Sequence, residues 1–206
     1  VMSHFPNIYK KCLSIGIDLT KDMIPVVPAA HYCCGGIKVN LNGESSIRRL
    51  YALGEASSTG LHGGNRLASN SMMEAAVYAD AAARHAISVI DSIELQRDIP
   101  AWDYEGTAVP EEMALITQDY KEMQQIMTNY VGIVRSDVRL ERAKRRLEII
   151  FKETEELYLK STLSQHLCEL RNMIAVGYLI IKQAEARHES VGLHYSIDYP
   201  AKPVEI

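Results

Sequence analysis

Glycine is spread so unevenly along this chain that a single fold class cannot describe all of it. Seven of the twelve glycines lie between Gly35 and Gly64, whereas residues 111–189 hold only Gly132 and Gly177. Residues without Cβ are needed where backbone turns tightly or approaches another group, and they weaken helix interiors. The contrast divides the chain near residue 106: a first part of short elements and tight loops, residues 1–106, and a helical second part, residues 107–206.

In the first part, residues 7–15 have helical spacing and stop at Gly16. Ile24-Pro25-Val26-Val27-Pro28 is extended, because each proline biases its predecessor away from the helical region. Gly36 to Asn40 alternates like a strand, Asn42-Gly43 signals a hairpin turn, and Leu50 to Leu53 is a short apolar run ending at Gly54. A loop is predicted from Gly54 to Asn70. Ser71-Met72-Met73-Glu74 has the form of a capping box, and the alanine-rich continuation favours a helix to about Ile90. Trp102 to Pro110 links the two parts.

The second part carries three apolar stripes at helical spacing. Met113, Ile116, Tyr120, Met123, Met127 and Tyr130 form the first; Leu140, Ala143, Leu147, Ile150, Phe151, Thr154 and Leu157 the second; Leu163, Leu167, Leu170, Ile174, Gly177, Ile181 and Ala184 the third. Short polar connections predict an up-down-up arrangement. The expected fold is an α/β fragment followed by an all-α three-helix bundle.

Charge excludes several partners. The net charge is −4, with 9 basic and 11 acidic side chains in residues 1–106 and 13 and 15 in residues 107–206. Neither part has the basic excess of a nucleic-acid or anionic-membrane binder. No apolar run approaches the roughly 20 residues of a membrane span, and a cytoplasmic location is expected. Arg139, Arg142, Lys144, Arg145 and Arg146 interleave with Glu141 and Glu148, as on a solvated helix face. Cys12, Cys33, Cys34 and Cys168 form no CxxC pair and are read as reduced thiols, with Cys33 and Cys34 as packing residues. His166, His188 and His194 show no metal-ligand spacing, so no metal is expected.

Chemistry concentrates between Pro28 and Glu74, where His31, Glu55, His62 and Arg66 share a glycine-rich approach to a helix. Gly60, Gly63 and Gly64 let backbone come close to a ligand, and the helix start offers unpaired N–H groups and partial positive charge to an anion. The same residues also suit ordinary loop and cap chemistry. Neither G-x-G-x-x-G nor a Walker A loop is present. His31 suits a core histidine as well as a ligand-binding one. Arg66, following two glycines in a small, neutral loop, suits a bidentate carboxylate grip or a structural ion pair.

The longer strings narrow these alternatives. PAAHYCCGG, LYALGEASSTGLHGGNRLASNSMMEA and ESVGLHYSIDYP together resemble the C-terminal portion of the L-aspartate oxidases, flavoproteins related to the succinate dehydrogenase and fumarate reductase flavoprotein subunits. The resemblance covers essentially the whole chain. It implies an enzyme that oxidises L-aspartate to iminosuccinate with FAD, in the quinolinate branch of NAD biosynthesis, with oxygen or fumarate as acceptor. By the same resemblance, His31 and Arg66 hold a carboxylate of L-aspartate or another dicarboxylate. Glu55 accepts hydrogen bonds from FAD hydroxyls, and Ser71 and Met72 meet the flavin ring at the helix start.

Residues 1–106 are then the C-terminal part of an FAD-binding and substrate-site domain. The dinucleotide fingerprint and a proton-accepting arginine would precede Val1, so the chain is expected to be a fragment, inactive alone. The nearest rivals are a fumarate reductase or succinate dehydrogenase flavoprotein subunit, and a helical docking module, from about Pro110 to Glu189, that presents Tyr178 and Leu179. Four positions depart from the pattern that the resemblance implies: Gly64 stands for Ala, Met72-Met73 for Leu-Leu, and Val191 for Arg.

Overall fold

A computed structural model describes residues 1–109 and 113–201. Helix α1 (Pro6–Ser14) starts with proline in its first turn, where a missing N–H costs nothing, and ends before Gly16 at φ +84°. Strand β1 (Ile37–Lys38) pairs in parallel with β2 (Ser57–Ser58), which follows a 3₁₀ turn at Gly54–Ala56. The segment from Gly54 to Asn70, expected to be all loop, therefore contains a strand. Two residues are too few to leave a period in the sequence. Gly36 makes the pairing possible, since a Cβ there would lie 2.8 Å from the Ala56 carbonyl carbon. Asn40–Gly43 turns as expected, with Gly43 at φ +74° and an antiparallel bridge between Glu44 and Tyr51.

Helix α2 (Asn70–Ile90) departs from the predicted capping box. Its N-cap is Ser69, in the left-handed region at φ +71°, and no side chain caps the first turn. Ser71 and Glu74 are engaged by other partners. Cys33 is exposed, so it is not the packing residue expected of it, and all four cysteines are free.

Helices α3 (Met113–Tyr130), α4 (Asp137–Lys160) and α5 (Gln165–Ala186) pack pairwise on one another. Ser136 and Ser164 cap α4 and α5 by accepting from the N–H groups of Arg139 and Leu167 at 3.3 Å. Ion pairs Lys144–Glu185 and Arg171–Glu155 join opposite ends of α4 and α5 and make them antiparallel. The predicted stripes form the core: Ile116, Met123, Leu140, Ala143, Leu147, Ile150, Leu167, Leu170, Ile174 and Ile181 are all buried.

Two stripe residues and one outside the stripes behave differently. Phe151, at the edge of its stripe, is 47% exposed, and Leu163 lies ahead of α5 and is 39% exposed. Ile126, off the predicted stripe, is buried. Tyr178, expected to be exposed, packs partly buried against the core beneath Lys182, while Leu179 is exposed. Pro110 and the side chain of Met113 lie outside the described residues. Among those described, no helix is long and apolar enough to cross a membrane. The basic cluster is solvated and paired, with Arg145 on Glu141 and Lys144 on Glu185.

Nearly all of this core belongs to α3–α5 and to Val131 just after α3; among the described residues, only Cys12, Ala52 and Ala82 are buried apolar residues elsewhere. The chain exposes 15746 Å², against roughly 9,700 Å² for a compact monomer of its mass. Residues 1–109 therefore carry much uncovered apolar surface, including Met23, Val26, Val27 and Leu67.

After α5 the chain returns to the helices. Strand β4 (Tyr195–Ser196) pairs in parallel with β3 (Val134–Arg135), between α3 and α4. His194 is buried and its Nδ1 accepts from Arg135 Nη1 at 2.9 Å. Burial, followed by the adjacent Arg135 cation, holds His194 below the usual histidine range, although the Arg187 backbone and the Glu189 carboxylate favour its charged form. The fold thus binds fewer protons here than the unfolded chain, so this contribution to stability is complete above about pH 6.5 and is lost as pH falls. In the full-length protein, lowering pH from 7.5 to 5.5 is expected to lower the denaturant midpoint more in the parent than in His194→Gln. Equal losses would exclude His194 as the cause.

Candidate functional site

The site is organised by a buried carboxylate that sequence reasoning had assigned to a helix cap. Glu74, in the first turns of α2, has a side chain only 1% exposed. Its Oε2 accepts from His62 Nε2 at 2.6 Å and from the Tyr32 hydroxyl at 3.4 Å, and its Oε1 accepts from the Thr59 hydroxyl. Three donors from the two preceding segments satisfy a group that would be costly to bury alone. These donors take the place of the helix's own amides, which is why the capping box does not form.

Tyr32 passes this order on to Arg66. Its ring lies edge-on to His62, with centroids 5.3 Å apart, and the Arg66 guanidinium sits over the same ring at 4.7 Å. Arg66 Nη1 donates to Ser71 Oγ at 2.6 Å. Burial, with the Glu74 and Glu55 carboxylates next in effect, raises the Tyr32 hydroxyl above its usual range, so it remains a donor. Among the described residues no carboxylate lies within salt-bridge distance of Arg66. The guanidinium is held by a π face and a hydroxyl, which fix it in place and leave its charge uncompensated.

The other expected residues fall nearby but are not all joined. His31 is adjacent to Tyr32 and exposed, with no hydrogen bond to Arg66. Glu55 is exposed on the 3₁₀ turn, and its Oε1 accepts from the Cys33 N–H at 3.1 Å. Ser71 is engaged by Arg66, while Met72 is 76% exposed at the start of α2. Sequence reasoning missed Tyr32, Thr59 and Glu74 as one cluster with His62. The available signal was an acidic residue embedded in the alanine- and methionine-rich opening of a helix.

The tail also reaches this loop. Leu193 N–H donates to the Gly64 carbonyl at 2.9 Å, and Val191 Cγ1 lies 3.0 Å from where a Cβ on Gly64 would stand. Gly64 and Val191, both departures from the expected pattern, therefore face each other.

Residues 1–72 match the family model described as FAD binding domain, and residues 120–203 match fumarate reductase flavoprotein C-term. L-aspartate oxidase of Vibrio cholerae is 43% identical over 100% of this chain and 38% of its own length. The Yersinia pestis L-aspartate oxidase is 48% identical over 97% of this chain and 38% of its own. A chloroplastic L-aspartate oxidase of Nicotiana tabacum is 41% identical over 97% of this chain and 33% of its own. The chain thus spans less than two-fifths of the length of these relatives. A solved quinol-fumarate reductase superposes with TM-score 0.81 at 27% identity, covering 98% of this chain and 38% of that one. Mycobacterium smegmatis Sdh1 superposes at 0.76 and 26% identity, covering 97% and 36%. Over nearly its whole length the chain is therefore similar to L-aspartate oxidases, and by its two matched models to an FAD-binding domain and to the C-terminal part of fumarate reductase flavoproteins.

Proposed function

We propose that this chain supplies the dicarboxylate-binding loop and part of the flavin-binding surface of an FAD-dependent L-aspartate oxidase. The observation that carries the reading is Arg66: a guanidinium fixed by Tyr32 and Ser71, unpaired with any carboxylate of the described residues, in a glycine-lined loop. Such a group grips a substrate carboxylate bidentately, and holding the substrate in one orientation converts binding into proximity. His31, on the adjoining segment, supplies a ring N–H to the same substrate. The names of the relatives support L-aspartate as that substrate.

The residues present fit FAD. Helix α2 runs 21 residues and carries no side-chain cap, so its start suits an electron-rich group, with Ser71 and Met72 placed there. Gly36 permits the close approach of β1 to the turn bearing Glu55, whose carboxylate is open to accept from hydroxyls. FAD, when bound, supplies the hydride acceptor for the amino acid's Cα–H. Residues 1–106 are read as part of the FAD-binding and substrate-site domain, and residues 107–206 as a three-helix-bundle domain. The exposed apolar surface of the first supports its being covered by further protein. Oxygen or fumarate is read as the acceptor, and the four free cysteines support a cytoplasmic location.

The full-length protein is expected to purify yellow and to form peroxide in air when given L-aspartate. Turnover of succinate far above that of aspartate would overturn the substrate assignment in favour of a succinate dehydrogenase or fumarate reductase flavoprotein. Glu55→Ala is expected to lower flavin content per polypeptide, read from the visible absorbance after gel filtration, without altering the aspartate KM of molecules that retain flavin. Full flavin retention would remove Glu55 from the cofactor site.

A further inference from the structure

We propose that Val191–Leu193 is a positioning element for the loop that presents His62 and Arg66, so that the C-terminal tail sets the affinity of the site for its dicarboxylate. This rests on the reading of Arg66 given above.

Gly64 lies midway between His62 and Arg66 and meets the tail at its carbonyl and its Cα. Its carbonyl accepts from Leu193 N–H, and Gly192 packs directly against its backbone. Gly192 adopts φ +58°, and a Cβ there would stand 2.7 Å from Gly64 Cα, so any side chain would strain the tail and displace the loop. Side chains anchor the loop on either side, His62 on Glu74 and Arg66 on Ser71 and the Tyr32 ring, but the backbone between them has little else to hold it. Gly60, Leu61, Gly63 and Asn65 are exposed, and its own backbone bonds, Gly63 to Gly60 and Asn65 to His62, are short-range turns.

The tail, by contrast, is anchored to the helical part. Val191 and His194 exchange two backbone bonds, at 3.0 and 3.1 Å. Ser190 Oγ donates to the Tyr199 carbonyl at 2.6 Å, and the Tyr199 hydroxyl donates to Asp137 at the start of α4 at 2.8 Å. Arg135 and strand β3 hold His194 and β4. A tail anchored on β3 and the start of α4 is thereby brought against the backbone between these two anchors, two residues from the proposed substrate cation. Misplacing such a cation by about 1 Å is enough to cost on the order of 100-fold.

Gly64 and Val191 provide a test of positioning separate from folding. A methyl on Gly64 would meet Val191 Cγ1 at 3.0 Å, whereas its next neighbours, in Gly192, stand at 3.4 Å. In the full-length holoenzyme, Gly64→Ala is therefore expected to raise the L-aspartate KM roughly tenfold. Adding Val191→Ala, which removes the opposing branch, is expected to return it to within about threefold of the parent. Gly192→Ala is expected to raise KM at least as much as Gly64→Ala, with flavin content unchanged. Hydrogen exchange of amides 61–66 should quicken in both single variants, and that of α4 and α5 should not.

Independent, multiplying effects of Gly64→Ala and Val191→Ala would overturn the proposal. So would unchanged exchange at 61–66, or a kcat and flavin loss at constant KM. If the parent protein fails to turn over L-aspartate, the functional reading falls, and the calorimetric Kd for succinate replaces KM in the same comparison. The positioning role then stands or falls on whether Val191→Ala rescues Gly64→Ala.

Discussion

Replacing Arg66 by leucine in the full-length protein is expected to lower kcat/KM for L-aspartate by between about 30-fold and several thousand-fold, with FAD still bound. The range corresponds to the roughly 2–5 kcal/mol lost when one partner of a desolvated, hydrogen-bonded charge pair is removed. Both KM and kcat should suffer, because the guanidinium binds the carboxylate and also orients the substrate. Arg66→Lys should recover only part of the loss. A lysine keeps the charge but has neither the planar fork for a carboxylate nor the flat face that rests on Tyr32 at 4.7 Å. Steady-state kinetics on flavin-normalised enzyme, with the flavin spectrum recorded alongside, separates this outcome from cofactor loss. A leucine variant that lost flavin in the same proportion as Glu55→Ala would mean that substrate and cofactor roles had been wrongly divided between the two residues.

The contrast between Arg66 and Glu74 shows which parts of such a site a sequence discloses. Arg66 stands out because its neighbours are glycine and small neutral residues, and the three long helices stand out because their apolar residues recur at the helical period. Glu74 also stands out, but as a cap, since Ser-x-x-Glu ahead of an alanine-rich run is a local signal with a local meaning. What overrides it is non-local: a tyrosine, a threonine and a histidine from separate segments converge on the carboxylate. The pairing of β1 with β2, that of β3 with β4, and the contact of Gly192 with Gly64 are likewise made between distant residues. Two-residue strands have no periodicity, and a glycine chosen for close approach looks the same as one chosen for a turn. Phe151 fails for the opposite reason, since helical spacing places it beside the stripe but only packing decides that the edge stays open.

Removing the Glu74 carboxylate is expected to cause the largest loss of stability among single changes near the loop. Its side chain is 1% exposed and accepts from His62, Tyr32 and Thr59, so Glu74→Ala leaves three donors without their acceptor and opens a small void. Each stranded buried donor costs about 1–3 kcal/mol, and cavity formation adds to it, so a loss of at least about 3 kcal/mol is expected in urea unfolding of the full-length protein. Glu74→Gln keeps the shape but turns one acceptor into a donor that faces existing donors, and should fall between the two. The informative comparison is with His62, whose side chain is only 7% exposed. If the pair is coupled as the 2.6 Å contact implies, His62→Phe combined with Glu74→Leu should be less destabilising than the sum of the single changes by about 1.5 kcal/mol or more, because removing both partners strands fewer groups than removing either. Tyr32 would still lose its acceptor, so the double variant should regain stability yet keep a raised KM, with the platform beneath Arg66 no longer held. Additive stabilities would mean that Glu74 does not organise the loop through His62. A double variant with parental KM would separate the carboxylate from substrate binding altogether.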